Sequence, residues 1–160
     1  MHDWRLRRAD PTDAPALASC VEAAYHHYIP RIGKPPGPMP ADYAEVIAHH
    51  QVWVAEAERQ IIGVLVLIPE EDTLLLDNIA VHPDDQGCGI GRALLELADA
   101  QALCQGYGEL RLYTHEHCTR QNLRIPVGGR PTLCQSSVHV LIHHDYTIIL
   151  NIDACSVLRF

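Results

Sequence analysis

Three glycines at alternate positions, in Gln86-Gly87-Cys88-Gly89-Ile90-Gly91, carry the clearest chemical signal in the chain. Without Cβ atoms, backbone can approach a ligand closely and turn several N–H groups toward it. Residues 89–105 have the apolar spacing of an amphipathic helix, whose first N–H groups lack intrahelical partners and form its positive dipole end. Loop and helix start together predict a site for an anion, a phosphate above all. The spacing excludes two commoner phosphate loops. No Gly-Lys-Ser/Thr follows four spacer residues, as a P-loop requires, and the glycines read G-x-G-x-G instead of the dinucleotide-binding G-x-G-x-x-G. Cys88 is either a plain spacer or a thiol made more acidic by the helix end.

A carboxylate lies just upstream. Asp77 is the only ionisable side chain in the apolar run that ends at His82. There it can take a proton from an ammonium, directly or through water, or it can be a polar residue tolerated at a strand irregularity. Arg92, one turn into the helix, either reaches a phosphate or stays solvated. Tyr25 and Tyr28 precede a proline-rich stretch that Asp42 and Tyr43 follow; their ring faces suit a cationic amine, or they pack one helix on another. A zinc reading of His115, His117, Cys118, Cys134, His139, His143 and His144 lacks regular ligand spacing, and with eleven histidines chance clusters are common, so no metal is expected.

The elements that must position these groups follow from local patterns. Residues 4–9 alternate as a half-exposed strand, Asp10-Pro11-Thr12-Asp13 reads as a capped turn, and residues 14–27 have helical spacing. Five prolines and two glycines at residues 30–40 exclude regular structure there, and residues 42–50 suit a short helix. Residues 52–55 and 61–68 read as strands, the second apolar enough to be covered on both faces; 74–82 and 110–114 read as two more. At 160 residues and 48% apolar, the chain fits one domain with a substantial core.

The net charge of −8 argues against a nucleic acid partner, since such binding relies on cationic contacts to phosphate. No run approaches the roughly 20 apolar residues of a membrane span, and the first residues lack a signal peptide's apolar segment, so no membrane partner and a cytoplasmic location are expected. The six cysteines, without a C-x-x-C pair, fit reduced thiols.

Gln86-x-x-Gly-x-Gly, preceded by Ile79-Ala80-Val81-His82-Pro83 and followed by Arg92-Ala93-Leu94-Leu95, closely resembles the acetyl-CoA pyrophosphate loop of the GNAT family of N-acetyltransferases. The resemblance covers about residues 3–123. It implies an α+β fold: a mixed, mostly antiparallel sheet flanked by helices, with the fourth and fifth strands splayed at a bulge. It implies acetyl-CoA as cosubstrate, a primary amine of a small molecule or peptide as acceptor, and direct attack on the thioester. Backbone of Ile79 and Val81 would meet the pantetheine arm, and backbone of Gln86, Gly87, Cys88, Gly89, Ile90, Gly91 and Arg92 the pyrophosphate, with Asn122 also on the cofactor. Asp77 would be the base. Tyr25, Tyr28 and Tyr113 would contact the acceptor, with Glu116 beside them, and a homodimer through the last strands would be in keeping.

The likeness stops after Asn122. The family continues with a helix carrying Asn-x-x-Ala and a tyrosine that protonates the leaving thiolate. Here Ile125 replaces the Ala, Gly129 the Tyr, and Pro126 with Gly128-Gly129 would break the helix. Residues 124–160 are an atypical tail of the single domain at 1–160, either a frameshift product or a genuine replacement. The alternative function is an acyl-CoA-binding or sensing domain of the same fold with impaired turnover.

Overall fold

A computed structural model of the chain describes residues 3–26, 29–32, 38–116, 119–126, 141–142 and 147–148. Strand β1 (Trp4–Arg8) leads through a 3-10 turn at Pro11–Asp13 into helix α1 (Ala14–Tyr25). Asp10 and Asp13 form a capping box there, Asp10 accepting from the Thr12 N–H and Asp13 from the Asp10 N–H, each at 2.8 Å. A single turn, α2 (Ile29–Ile32), precedes α3 (Tyr43–His49), whose cap Asp42 accepts from the Ala44 N–H at 3.0 Å. Then come β2 (Gln51–Ala57), β3 (Gln60–Pro69), β4 (Leu74–Val81), helix α4 (Ile90–Cys104), β5 (Glu109–Glu116) and β6 (Thr119–Pro126), with a short pair β7 (Leu141–Ile142) and β8 (Thr147–Ile148).

Strands β1 to β6 lie side by side in chain order, antiparallel except where β4 meets β5 in parallel. The parallel contact needs a crossover, and α4 supplies it. This is the mixed, mostly antiparallel α+β sheet that the sequence predicts. Helix α1 ends at Tyr25, short of the expected residue 27. The β2–β3 turn is tighter than the five residues expected: Ala57 pairs with Gln60, and Glu58 and Arg59 take φ of 50° and 67°, the two positive values that a tight hairpin demands.

After β5, residues 119–126 pair antiparallel with it, Asn122 opposite Tyr113, so the family's helix is interrupted here, as the break in its pattern after Asn122 implies, and a strand takes its place. Alternating Leu123 and Ile125 suits a strand, and Pro126 at its end removes the donor that a helix would need.

Two apolar layers sandwich the sheet. On one side α4 buries Ile90, Leu94, Ala98 and Ala102, each no more than 1% exposed, against Leu65, Leu67, Leu74, Leu76 and Ile79. Each such Leu or Ile contributes about 1.5–3 kcal/mol. On the other side Leu17, Val21 and Tyr25 of α1 and Tyr43 of α3 cover Val52, Val54, Val64, Val66 and Ala80. Strand β3, buried over residues 61–67, is covered on both faces as its sequence predicts. Gly63 in its middle has a specific use. A Cβ there would lie 2.9 Å from Ile90 Cγ2, 3.1 Å from Ala55 Cβ and 3.2 Å from Leu94 Cδ1, so glycine lets the first turn of α4 settle onto the strand. Among the described residues no helix is long and apolar enough to cross a membrane.

Candidate functional site

Strands β4 and β5 share two pairings, Leu74 with Leu110 and Leu75 with Arg111, and then part. Beyond these two pairs β4 has no ladder partner on that side among the described residues, and the short strand β8 comes near both strands. The His82 N–H donates to Ile62 O at 2.9 Å, which marks those two as a hydrogen-bonded pair. Antiparallel alternation then makes Val81 opposite Gly63, and Ile79 opposite Leu65, non-bonded pairs whose N–H and C=O groups point away from β3; the Ile79 carbonyl also accepts from the Tyr25 hydroxyl at 3.3 Å. The Val81 carbonyl accepts from Gln86 Nε2 at 3.3 Å, which ties the glycine loop to the strand end.

That loop follows a 3-10 turn at Pro83–Asp85 and runs exposed from Gln86 to Gly89. Gly87 and Gly89 take φ of 79° and 82°, left-handed values that any side chain would strain, and the space where their Cβ atoms would stand is open within 4 Å. The first α4 bond is Ala93 N–H to Gly89 O at 3.0 Å. Among the described residues the N–H groups of Gly87, Cys88, Gly89, Ile90 and Gly91 meet no acceptor. Five donors at the positive end of a fifteen-residue helix are an arrangement that can accommodate the phosphate of a ligand. Arg92 is an exposed residue of the first turn whose Nε lies 2.8 Å from Glu96, so its guanidinium is held along the helix. Cys88 is exposed on the loop.

Where β4 leaves β5 it also carries a β-bulge. Val66 pairs with Asn78 but Leu67 with Leu76, so Asp77 is the extra residue. Leu74 and Leu76 before it, and Ile79 and Val81 after it, all join the α4 layer, and the change of phase turns Asp77 and Asn78 together to the α1 and α3 side. Asn78 is 2% exposed, and both ends of its amide are used: Oδ1 accepts from the Tyr25 hydroxyl at 2.6 Å and Nδ2 donates to the Tyr43 oxygen at 3.4 Å. The Tyr43 hydroxyl donates onward to Pro38 O at 2.9 Å. Asp77 is half-buried. Burial pushes its carboxyl above the ordinary range, while the charge of His50, at the end of α3, pulls it back. Burial, and then the Asp77 charge, raise the Tyr43 hydroxyl well above the usual tyrosine range.

The structure therefore brings the glycine loop up to the end of β4 through the Gln86–Val81 bond, with Asp77 at the bulge farther back along the strand. It corrects the reading of Tyr25 as an acceptor contact. That side chain is wholly buried with its hydroxyl on Asn78, the packing role that was the other reading. Tyr28 lies outside the described residues, as do His117, Cys118, Cys134, His139, His143 and His144. Tyr113 and Asn122 face each other across β5 and β6. His50 and Gly63 escaped sequence reasoning. A lone glycine in an otherwise apolar strand is the signal from which a close backbone approach could have been read, whereas nothing local announces His50.

Comparison with known proteins agrees with this arrangement. Residues 48–124 match the family model described as an acetyltransferase (GNAT) domain. A rat protein, N-acetyltransferase family 8 member 3, is 35% identical over 68 residues, which span 39% of this chain and 30% of that protein. The chain thus matches less than a third of that relative's length. Among solved structures, the backbone resembles the PaiA N-acetyltransferase of Thermoplasma acidophilum, crystallised with coenzyme A, at a TM-score of 0.60 and 18% identity over 72% of this chain and 81% of that one. A GNAT acetyltransferase of Brucella melitensis in complex with acetyl-CoA aligns at 0.57 and 20% identity, over 86% of this chain and 99% of the other. The IAA acetyltransferase of Bacillus cereus aligns at 0.54 and 26% identity, over 72% and 69%. Loop, splayed strands and the family-model match agree in likening residues 48–124 of this chain to the GNAT acetyltransferases.

Proposed function

We propose that this protein binds acetyl-CoA in the gap between β4 and β5 and transfers its acetyl group to a primary amine of a small molecule or peptide. The observation that carries the reading is the cradle of free N–H groups from Gly87 to Gly91, tied to the end of β4 by the Gln86–Val81 bond. The donors at Gly87, Cys88, Gly89, Ile90 and Gly91 suit the pyrophosphate, with Gln86 and Arg92 flanking them. The Ile79 and Val81 backbone groups turned away from β3 suit the amides of a pantetheine arm.

When bound, acetyl-CoA supplies a thioester carbonyl carbon to which the amine nitrogen bonds as the carbon–sulfur bond breaks and coenzyme A leaves. Asp77, with a carboxyl of raised affinity for protons, takes the proton that a substrate ammonium must lose to become nucleophilic. The Val81 N–H, turned away from β3, is the donor available for negative charge on the carbonyl oxygen. Tyr113 on β5 is proposed to border the amine. Asn122 is not carried into the cofactor site, because its implied role depended on a helix start and it stands in a strand.

Calorimetric titration of the 160-residue chain with acetyl-CoA tests the cradle. Gly89→Glu adds a strained left-handed residue and a carboxylate against the pyrophosphate, and binding is expected to weaken by about a hundredfold or more, two charge-assisted contacts' worth. Equal affinity in both proteins would overturn the assignment. The strand at residues 119–126 favours one alternative, since it leaves the leaving thiolate without the tyrosine that the family places there. Tight acetyl-CoA binding with no thiol release in a panel of amines would make the protein an acyl-CoA-binding or sensing domain.

A further inference from the structure

Residues 38–42 close the proline-rich loop where it enters α3, on the face of the sheet that carries Asp77. Asp42 orders this segment relative to its own helix by capping it. Tyr43 orders it relative to the sheet, because its hydroxyl donates to Pro38 O and accepts from Asn78 Nδ2. Asn78 cannot reverse its amide. Its oxygen would then face Tyr43, whose single proton is committed to Pro38. Tyr25, Asn78 and Tyr43 are 0%, 2% and 4% exposed, so none of the three meets a ligand. A hydrogen-bonded chain thus runs from α1, through the residue next to Asp77, to the loop. An apolar side chain would fill the same space without such bonds; what the polar chain adds is a fixed direction and distance.

We infer that Tyr43 and Asn78 are positioning residues that latch residues 38–42 to the β4 bulge and so set the spacing between the amine site and Asp77. This rests on the acyl-transfer reading above and adds to it that residues 38–42, which pack on the Asp77 face of the sheet, border the amine. Losing the latch leaves the phosphate cradle intact, since the cradle hangs from the far end of β4 and from α4.

Tyr43→Phe removes the hydroxyl and keeps the ring in its apolar contacts. Amide hydrogen exchange on the full chain is expected to quicken about tenfold over residues 38–46, somewhat more than one ordinary hydrogen bond because the Asn78 amide loses its partner too. Exchange over residues 84–95 and acetyl-CoA affinity should not change. With tyramine as the amine probe, KM should rise by a similar factor while kcat stays nearly constant. Tyr25→Phe, which frees Asn78 from α1 but keeps the Pro38 bond, should give a smaller rise over residues 38–46. Unchanged exchange there in Tyr43→Phe overturns the latch, as does an increase spread equally over residues 84–95. A wild-type chain that fails to bind acetyl-CoA, while its latch responds as expected, would overturn the acyl-transfer reading and leave the latch standing.

Discussion

Asp77→Asn is expected to lower kcat/KM for an amine acceptor by about a hundredfold or more, the usual contribution of a placed general base. Acetyl-CoA affinity should stay the same, because no part of the cradle involves residue 77. The same substitution should make the protein more stable at neutral pH, and this opposite sign separates a functional carboxylate from a structural one. Burial raises the Asp77 carboxyl in the folded state. Below the unfolded carboxylate value, about 3.9, both states hold the proton and folding is not penalised. As pH rises from there through the raised folded value, the unfolded chain gives up its proton first, so stability falls; above the folded value the loss is constant. Asn has no such loss, so the denaturation midpoint of the variant should exceed that of the wild type at pH 7 and match it at pH 3. In wild-type pH–rate profiles, the limb set by Asp77 should lie above the ordinary carboxylate range and disappear in the variant. Retained turnover with that limb unchanged would remove Asp77 from the mechanism.

Gly63→Val is expected to have the largest effect on stability. The site has no slack: a Cβ alone would stand 2.9 Å from Ile90 Cγ2, and the neighbouring Ala55 is too short to rotate away. Overpacking a core commonly costs about 1–3 kcal/mol, and a branched side chain at this contact belongs at or above the upper end. Urea midpoints would read the loss directly, with Gly63→Ala falling between wild type and Val. The folded fraction of the variant should also bind acetyl-CoA more weakly, since the side chain pushes against Ile90, the first residue of α4, and lifts the N–H cradle from its place beside β4. A midpoint within experimental error of wild type would mean that α4 does not rest on Gly63.

Much of this was legible in the chain because the signals are local. The glycines at 87 and 89 require particular backbone, the apolar run of β3 requires burial on both faces, and the Asp10 cap announces the turn that it begins. The parting of β4 from β5 and the bulge came from the family likeness, and the bulge then proved to fall on the carboxylate already singled out. What the sequence hid depends on contacts distant along the chain. Tyr25 precedes Asn78 by fifty-three residues, and whether its ring faces a ligand or a buried amide is decided by how α1 lies on the sheet. His50 influences Asp77 only because the end of α3 comes down near the bulge. Residues 119–126 stay without an assignment for another reason: the departure from the family pattern shows only that the relatives' helix is broken there, while the strand follows from the alternation of Leu123 and Ile125 in this chain.

The extra residue in β4 also limits where an acid can stand. A strand alternates between two layers, and from Leu74 to Val81 those layers are apolar save at Asn78, so a charge at almost any position would be forced into hydrocarbon. Only where one residue is in excess of the pairing does the alternation break and bring a second polar side chain beside Asn78. Bulge and carboxylate are in that sense one feature, and the acid cannot be moved by a single position along the strand unless the irregularity moves with it. A designer who wished to shift the reacting point nearer to the phosphate cradle would have to re-register β4 against β3, with every buried leucine on it, before changing any chemistry.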